Sequence, residues 1–183
     1  FCEGYCGRSL EGDLRLPSSQ AELDDLPALS CLTRVTGDLG GEAVRLRPDS
    51  LDALAQLEEI GGDLALNCTY ALRRTGGLAA LRVIGGHVRF DGCEHLEDLD
   101  GLAQLTSVSG DLVITGAREL TRLDGLRGLT RVDGDLHIEG SAALNGLEGL
   151  RALNSVGGDL TLKSNPALLD LVGLDALTEV GGD

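Results

Sequence analysis

One repeat apart along this chain stand Asp13, Asp38, Asp63, Asp111, Asp135, Asp159 and Asp183, with His87 where one more aspartate would fall. Carboxylates brought into line can share divalent cations, accept hydrogen bonds from backbone N–H groups at a bend, or stay solvated. Stacked ~5 Å apart they repel by roughly 1 kcal/mol per neighbour in water, so something must offset the crowding. Bonding of each Asp to backbone N–H groups at the bend before the following strand is the favoured reading. A calcium ladder, with Asp111, Asp135 and Asp159 as ligands, is the sharper alternative. The calcium-binding β-roll has a nonapeptide period with further Gly and Asp positions, and this chain does not match it.

Catalysis needs a few unlike residues in fixed geometry, which in a repetitive chain show as departures from the repeat. The departures are His87 for Asp, Thr75 for Leu, the Arg73-Arg74 pair, Tyr70 and His95, gathered in the third and fourth repeats. The histidines His87, His95 and His137 have no evident nucleophile beside them. A lone His in a repeat column reads as drift, so the expectation is a chain that is not an enzyme, with no cofactor beyond the calcium alternative. Polysaccharide cleavage on one sheet, as in some parallel β-helix proteins, ranks last.

Behind these residues lies a motif of apolar-x-Gly-Asp-Leu type, from Leu10-Glu-Gly-Asp-Leu14 through Val156-Gly-Gly-Asp-Leu160, starting again at Val180-Gly-Gly-Asp183. Its second Gly falls at 12, 37, 62, 86, 110, 134, 158 and 182, a spacing of 25, 25 and then 24 throughout. Seven apolar columns follow from that Gly, for example Val108, Leu112, Ile114, Leu120, Leu123, Leu126 and Leu129. Apolar residues two apart (Leu112, Ile114) mark a short strand with one buried face. Apolar residues three apart (Leu120 to Leu129) suit a 3₁₀-like path with one inward residue per step. One repeat cannot bury its Leu set alone, whereas stacked repeats bury a continuous ladder. Gly before the strand reads as a bend that a Cβ would obstruct. A second small-residue column, Gly77, Gly101, Gly125, Gly149 and Gly173 with Ala28 and Ala53, lets the backbone turn closely over the core.

Composition agrees. The chain has 27 Gly, no Met, no Trp, 2 Tyr and 2 Phe, so its core must come from Leu, Val, Ile and Ala. Lys163 is its single lysine, and Arg supplies the other cations, a bias that suggests a high-GC bacterial genome. A net charge of −15 disfavours nucleic acid, whose binding rests on neutralised phosphates, and anionic membrane surfaces. No stretch approaches the ~18 to 20 apolar residues that span a bilayer. The chain opens at Phe1-Cys2 and stops at Gly181-Gly182-Asp183, midway through a motif, which reads as a piece of a longer protein. The expected organisation is a Cys-containing cap over 1–11 and a solenoid over 12–183 that continues further.

Cys68 and Cys93 lie six and seven residues after their repeat glycines, Gly62 and Gly86. On stacked repeats their Cα atoms would be ~6 Å apart, within disulfide reach. Alternatively they are small buried hydrophobes. A zinc site is disfavoured, because Cys2 and Cys6 have no matching downstream pair. Outward strand positions pair Arg89 with Asp91, Val113 with Thr115, His137 with Glu139 and Thr161 with Lys163. They vary while the core is monotonous, as a recognition surface would. Arg89, Asp91, Thr115, His137, Glu139, Thr161 and Lys163 are its candidate residues. The face lacks the aromatic anchors typical of protein hot spots. Asn67-Cys68-Thr69 fits a glycosylation sequon, discounted for a bacterial chain.

The pattern Leu-x-Gly-Leu-x-x-Leu-x-x-Val-x-Gly-Asp-Leu-x-Ile, running over residues 10 to 183, resembles the receptor L-domain family. These are leucine-rich, right-handed β-helical domains that bind ligand in insulin- and epidermal-growth-factor-receptor ectodomains. Asn165-Pro166-Ala167-Leu168 looks like the version in bacterial surface proteins. The resemblance implies a right-handed, single-stranded parallel β-helix of leucine-rich-repeat type with about seven turns. It also implies a first-turn disulfide from Cys2 or Cys6 to Cys31, which would cap the open Leu ladder. Closing a loop of about 29 residues stabilises by roughly 3 to 4 kcal/mol in the chain-entropy model. Two disulfides would leave one thiol among Cys2, Cys6 and Cys31 to pair elsewhere, and together they favour an oxidising compartment. The expected role is a non-enzymatic recognition or adhesion module, extracellular or on a bacterial surface, with a protein or glycan ligand. The runner-up is a structural subunit of a filament, sheath or appendage, copies stacking end to end.

Overall fold

The computed structural model describes residues 8–16, 29–42, 50–68 and 72–183. Parallel strands of successive repeats stack into sheets, an arrangement compatible with a parallel β-solenoid. The longest sheet has seven strands, Leu14–Arg15, Leu39–Glu42, Leu64–Asn67, Val88–Asp91, Leu112–Thr115, Leu136–Glu139 and Leu160–Lys163, neighbouring in chain order. Register advances by one repeat: Leu112 pairs with Val88 on one side and Leu136 on the other, and Ile114 with Phe90 and Ile138. Every inward residue therefore sits on another inward residue.

A second side consists of short strands ahead of the motif's glycines. Arg8–Leu10, Leu32–Val35, Glu59–Ile60 and Val83–Ile84 form one four-stranded sheet. Ser107–Val108, Arg131–Val132, Ser155–Val156 and Glu179–Val180 form another, in contact with the first through Val83–Ile84. Of the expected cap over 1–11, residues 1–7 with Cys2 and Cys6 lie outside the described residues.

The third side carries 3₁₀ turns at Leu29–Cys31, Ser50–Leu54, Gly76–Leu78, Asp100–Leu102, Asp124–Leu126 and Glu148–Leu150. Leu spaced by three fits this geometry, because i and i+3 eclipse in a 3₁₀ path. The hydrogen bonds run from inward Leu to inward Leu: Leu126 N–H donates to Leu123 C=O at 2.8 Å, and Leu129 N–H to Leu126 C=O at 2.9 Å. Leu150 and Leu153 repeat the pattern.

From Gly37 onward the motif's second Gly is needed for room, not for a bend, whereas Gly12 has open space and a positive φ. At 37, 62, 86, 110, 134, 158 and 182 its φ is ordinary; positive φ is confined to Gly12, Gly92, Gly116, Gly140, Gly173 and Ser164 among the described residues. A Cβ on Gly62 would overlap the carboxylate of Asp38, and one on Gly134 that of Asp111. Gly77, Gly125 and Gly149 meet the backbone carbonyls of Leu51, Leu99 and Leu123, as a close turn over the core requires. A third column, missed in the sequence, ends the last four long strands: Gly92, Gly116 and Gly140 at φ 62°, 65° and 70°, followed by Ser164 at 57°. There the left-handed conformation explains the glycine.

The Leu columns from Val35 to Val156 form one continuous buried cluster. Phe90 fits into it in place of an aliphatic residue. An eighth inward column joins them: Cys93, Ala117 and Ser141, all fully buried, with Asn165 next. Cys68 and Cys93 are disulfide-bonded with their Cα atoms 4.4 Å apart. They are therefore both core residues and a staple between neighbouring repeats. Cys31 is also disulfide-bonded, its partner outside the described residues. Ser141 Oγ is buried without a hydrogen-bond partner. Asn165 caps that column by accepting the Ser141 N–H at 2.9 Å and donating to Ile138 C=O at 3.0 Å.

Leu123 and Leu147 stand one repeat apart in the same column, and both are fully buried. Leu123→Ala should therefore cost ~2 to 5 kcal/mol in urea unfolding, the usual range for a buried Leu. Leu147→Ala, in the same column one repeat on, should cost about the same. A cost near zero at both positions would contradict the assigned stacking.

Candidate functional site

The aspartates form a ladder that runs between repeats. Asp38 N–H donates to Asp13 Oδ1 at 3.0 Å, Asp63 N–H to Asp38 Oδ1 at 2.8 Å, and His87 N–H to Asp63 Oδ1 at 2.7 Å. Beyond His87, Asp135 N–H donates to Asp111 Oδ1 at 3.0 Å, Asp159 N–H to Asp135 Oδ1 at 2.8 Å, and Asp183 N–H to Asp159 Oδ1 at 3.0 Å. Backbone N–H groups do hold the carboxylates, as expected. The partner, however, belongs to the next repeat's aspartate rather than to the same bend. Each carboxylate lies in the slot left by the next motif glycine. The calcium candidates Asp111, Asp135 and Asp159 all use one oxygen in this way. Among the described residues no group of three or more His, Cys, Asp or Glu side chains is arranged to hold a metal ion.

The hydrogen bond from Asp135 N–H is the main cause that holds the Asp111 carboxyl below its ordinary value. Partial burial opposes this, and the nearby His87 and Arg89 reinforce it.

At His87 the ladder continues with a different atom. The ring occupies the carboxylate's slot under Gly110, and its Nδ1 accepts the Asp111 N–H at 2.9 Å. The substitution thus keeps the acceptor while changing the chemistry. Thr75 is fully buried in its Leu column, and its hydroxyl accepts the Gly101 N–H at 3.0 Å.

The other departures form a surface ion network. Arg73 Nη1 lies 2.6 Å from Glu97 Oε1 and 3.3 Å from Glu119 Oε2, and His95 Nδ1 lies 2.7 Å from Glu119 Oε1. Arg74 Nε approaches Glu97 at 3.6 Å and Asp98 at 4.0 Å. The hydrogen bond from Arg73 is the main cause lowering the Glu97 carboxyl. These residues pair with one another across three repeats, whereas Thr75 and His87 are engaged in the core and the ladder. Tyr70 lies outside the described residues. Exposed pairs of this kind contribute little stability one by one.

All seven candidate recognition residues fall on the long sheet, in two adjacent columns. Arg89, Val113, His137 and Thr161 make one, and Asp91, Thr115, Glu139 and Lys163 the other. They are cross-linked rather than isolated. Glu139 accepts from Lys163 Nζ at 3.0 Å and lies 3.1 Å from His137 Nε2. Thr115 Oγ1 donates to Asp91, and Arg89 Nη2 reaches Asp111 Oδ2 at 3.3 Å. The Lys163 contact comes first among the causes lowering the Glu139 carboxyl, with His137 second.

Two surface features escaped the sequence reading. On the same sheet, Gly40 and Ala65 floor a concavity of about 520 Å³ bordered by Asp13, Arg15, Asp38 and Asn67. Its signal was the small residues in an otherwise bulky outward column. In the last repeat, Leu169 (90 % exposed) and Val172 (48 % exposed) replace the polar residues that hold those columns earlier, Asn145 and Glu148 among them.

No family model matches the chain, and no curated protein matches it. Among the described residues no helix is long and apolar enough to cross a membrane.

Asp63→Ala should cost about 0.5 to 1.5 kcal/mol in chemical denaturation, because it leaves the His87 N–H without its acceptor. Asp63→Asn keeps an acceptor oxygen and should recover most of that loss, with or without added calcium. Acid should act through the Asp111 rung and through the ion pairs of Glu97 and Glu139. Asp111, Glu97 and Glu139 have folded-state values below their unfolded ones. Their contribution is thus fully present above the unfolded carboxylate values of about 4 and is lost as pH falls through the folded ones. Melting temperature measured against pH should hold above about pH 5 and drop below about pH 4. A flat profile there would count against these three contacts as a source of stability.

Proposed function

We propose that this chain is a right-handed β-solenoid of about seven turns, of the receptor L-domain, leucine-rich type, serving as a non-enzymatic recognition or adhesion module. One observation carries this reading. The inward columns are uniform and buried, while the outward columns of the same strands change chemistry at each step, from Arg89 through Val113 and His137 to Thr161. Rigid stacked strands hold such side chains in fixed register, which suits them to recognise a protein or a glycan. The net charge of −15 argues against nucleic acid as the partner. The Cys68–Cys93 bond supports an oxidising site of action, outside a bacterial cell or on its surface.

A second reading is a structural subunit of a filament, sheath or appendage. The apolar residues Leu169 and Val172, which stand in columns that the preceding repeat fills with exposed polar residues, favour it. Stacking through them would be heterologous, and such contacts extend into open assemblies.

Light scattering and electron microscopy of the purified protein separate the two. The recognition reading expects monodisperse monomers that bind a member of a glycan or bacterial-surface-protein array. It also expects that binding to fall at least tenfold on combined Arg89→Glu, His137→Glu and Lys163→Glu substitution, about 1.4 kcal/mol. Regular end-to-end filaments would favour the structural reading. Turnover of an arrayed polysaccharide would overturn the non-enzymatic one.

A further inference from the structure

We propose that His87 is a proton-sensitive joint in the aspartate ladder, opened by mild acid while the carboxylate rungs on either side stay closed. The inference stands on two distances to a single atom. His87 Nδ1 lies 2.9 Å from the Asp111 backbone nitrogen and 3.0 Å from Asp111 Oδ2. A ring nitrogen has one site in that direction: it holds a lone pair or a proton. With the lone pair it accepts the Asp111 N–H, and the ring is neutral with its proton on Nε2. With the proton it donates to Oδ2, and the Asp111 N–H loses its acceptor. The two bonds exclude each other.

No aspartate rung has this property near neutrality. A carboxyl group keeps an accepting oxygen even when protonated, whereas a ring nitrogen that gains a proton accepts nothing, and imidazole is the side chain that as a class changes charge under mild acid. The one rung made by a histidine is therefore the one that responds first.

The charged surroundings are few and named. Asp111 faces the ring from the following repeat, and Arg89 Nη2 shares its Oδ2 at 3.3 Å. Asp63, from the preceding repeat, holds the His87 backbone N–H through Oδ1 at 2.7 Å. Both neighbours of Arg89 across the sheet, Ala65 and Val113, are uncharged. Protonation thus places a cation beside the Asp111 carboxylate, so the ring gains an ion pair as the backbone loses a bond. The expected change is local loosening at Asp111 rather than unfolding. It falls just beyond the repeats that Cys68–Cys93 staples, so the stapled side stays fixed while the joint opens.

Amide hydrogen exchange by NMR, corrected for the intrinsic pH dependence, tests this. Protection at the Asp111 amide should fall about tenfold relative to Asp135 and Asp159 between about pH 8 and about pH 5. In His87→Asp and His87→Asn, where an oxygen takes over as acceptor, the three amides should track one another. At the high-pH end, the nitrogen shifts of His87 should show Nδ1 unprotonated. Uniform behaviour of the three amides in the parent protein, the same fall in both variants, or a protonated Nδ1 at pH 8 would each overturn the proposal.

Discussion

The bond from the backbone N–H of one aspartate to the carboxylate of the aspartate one repeat earlier sets the terms for this chain. It ties the start of each long strand to the start of its neighbour, at the point where a slip in register would begin. Parallel pairing alone tolerates slippage when neighbouring positions are alike. A side chain that reaches exactly one repeat does not. The slot for that carboxylate exists because the next repeat places Gly there, so glycine, aspartate and register form a single constraint. Once it is met, Leu falls on Leu through the whole stack, and the core follows.

Much of this was legible in the sequence, for reasons that can be named. Leu120, Leu123, Leu126 and Leu129 are spaced by three because a 3₁₀ path eclipses every third residue, and the structure joins Leu123, Leu126 and Leu129 by bonds of that type, with Leu120 bonded back to Ala117. Stacking brought Cys68 and Cys93 within disulfide reach but fitted two small buried hydrophobes equally, and the structure shows the bond. The eighth inward column was not legible, because Cys93, Ala117, Ser141 and Asn165 share position but not chemistry. Spacing also could not say why the motif glycine is glycine. A bend and a lack of room leave the same letter, and only the backbone angle and the neighbouring Asp38 or Asp111 oxygen distinguish them. His87 read as drift because a sequence column compares residue types, whereas the ladder asks only for an acceptor at the right place.

The same division explains why the candidate surface is less defined than the fold. Stacking constrains inward positions tightly and outward ones hardly at all. Glu139 with His137 and Lys163, or Arg73 with Glu97 and Glu119, are contacts between columns that no repeat pattern requires. They reflect what each repeat happens to carry, and that is where binding can be selected without disturbing the core.

The ladder bonds also share a direction. In every rung the later repeat donates and the earlier one accepts. The stack is therefore a vector with an amide-presenting side and a carboxylate-presenting side. Two copies brought together by a twofold axis would set carboxylate against carboxylate, or amide against amide, and the ladder could not cross the junction. Only a unit arriving in the same orientation can extend it. The symmetry allowed to any assembly through this element is thus translational or screw-like, and mirror-fashion pairing is left to other surfaces.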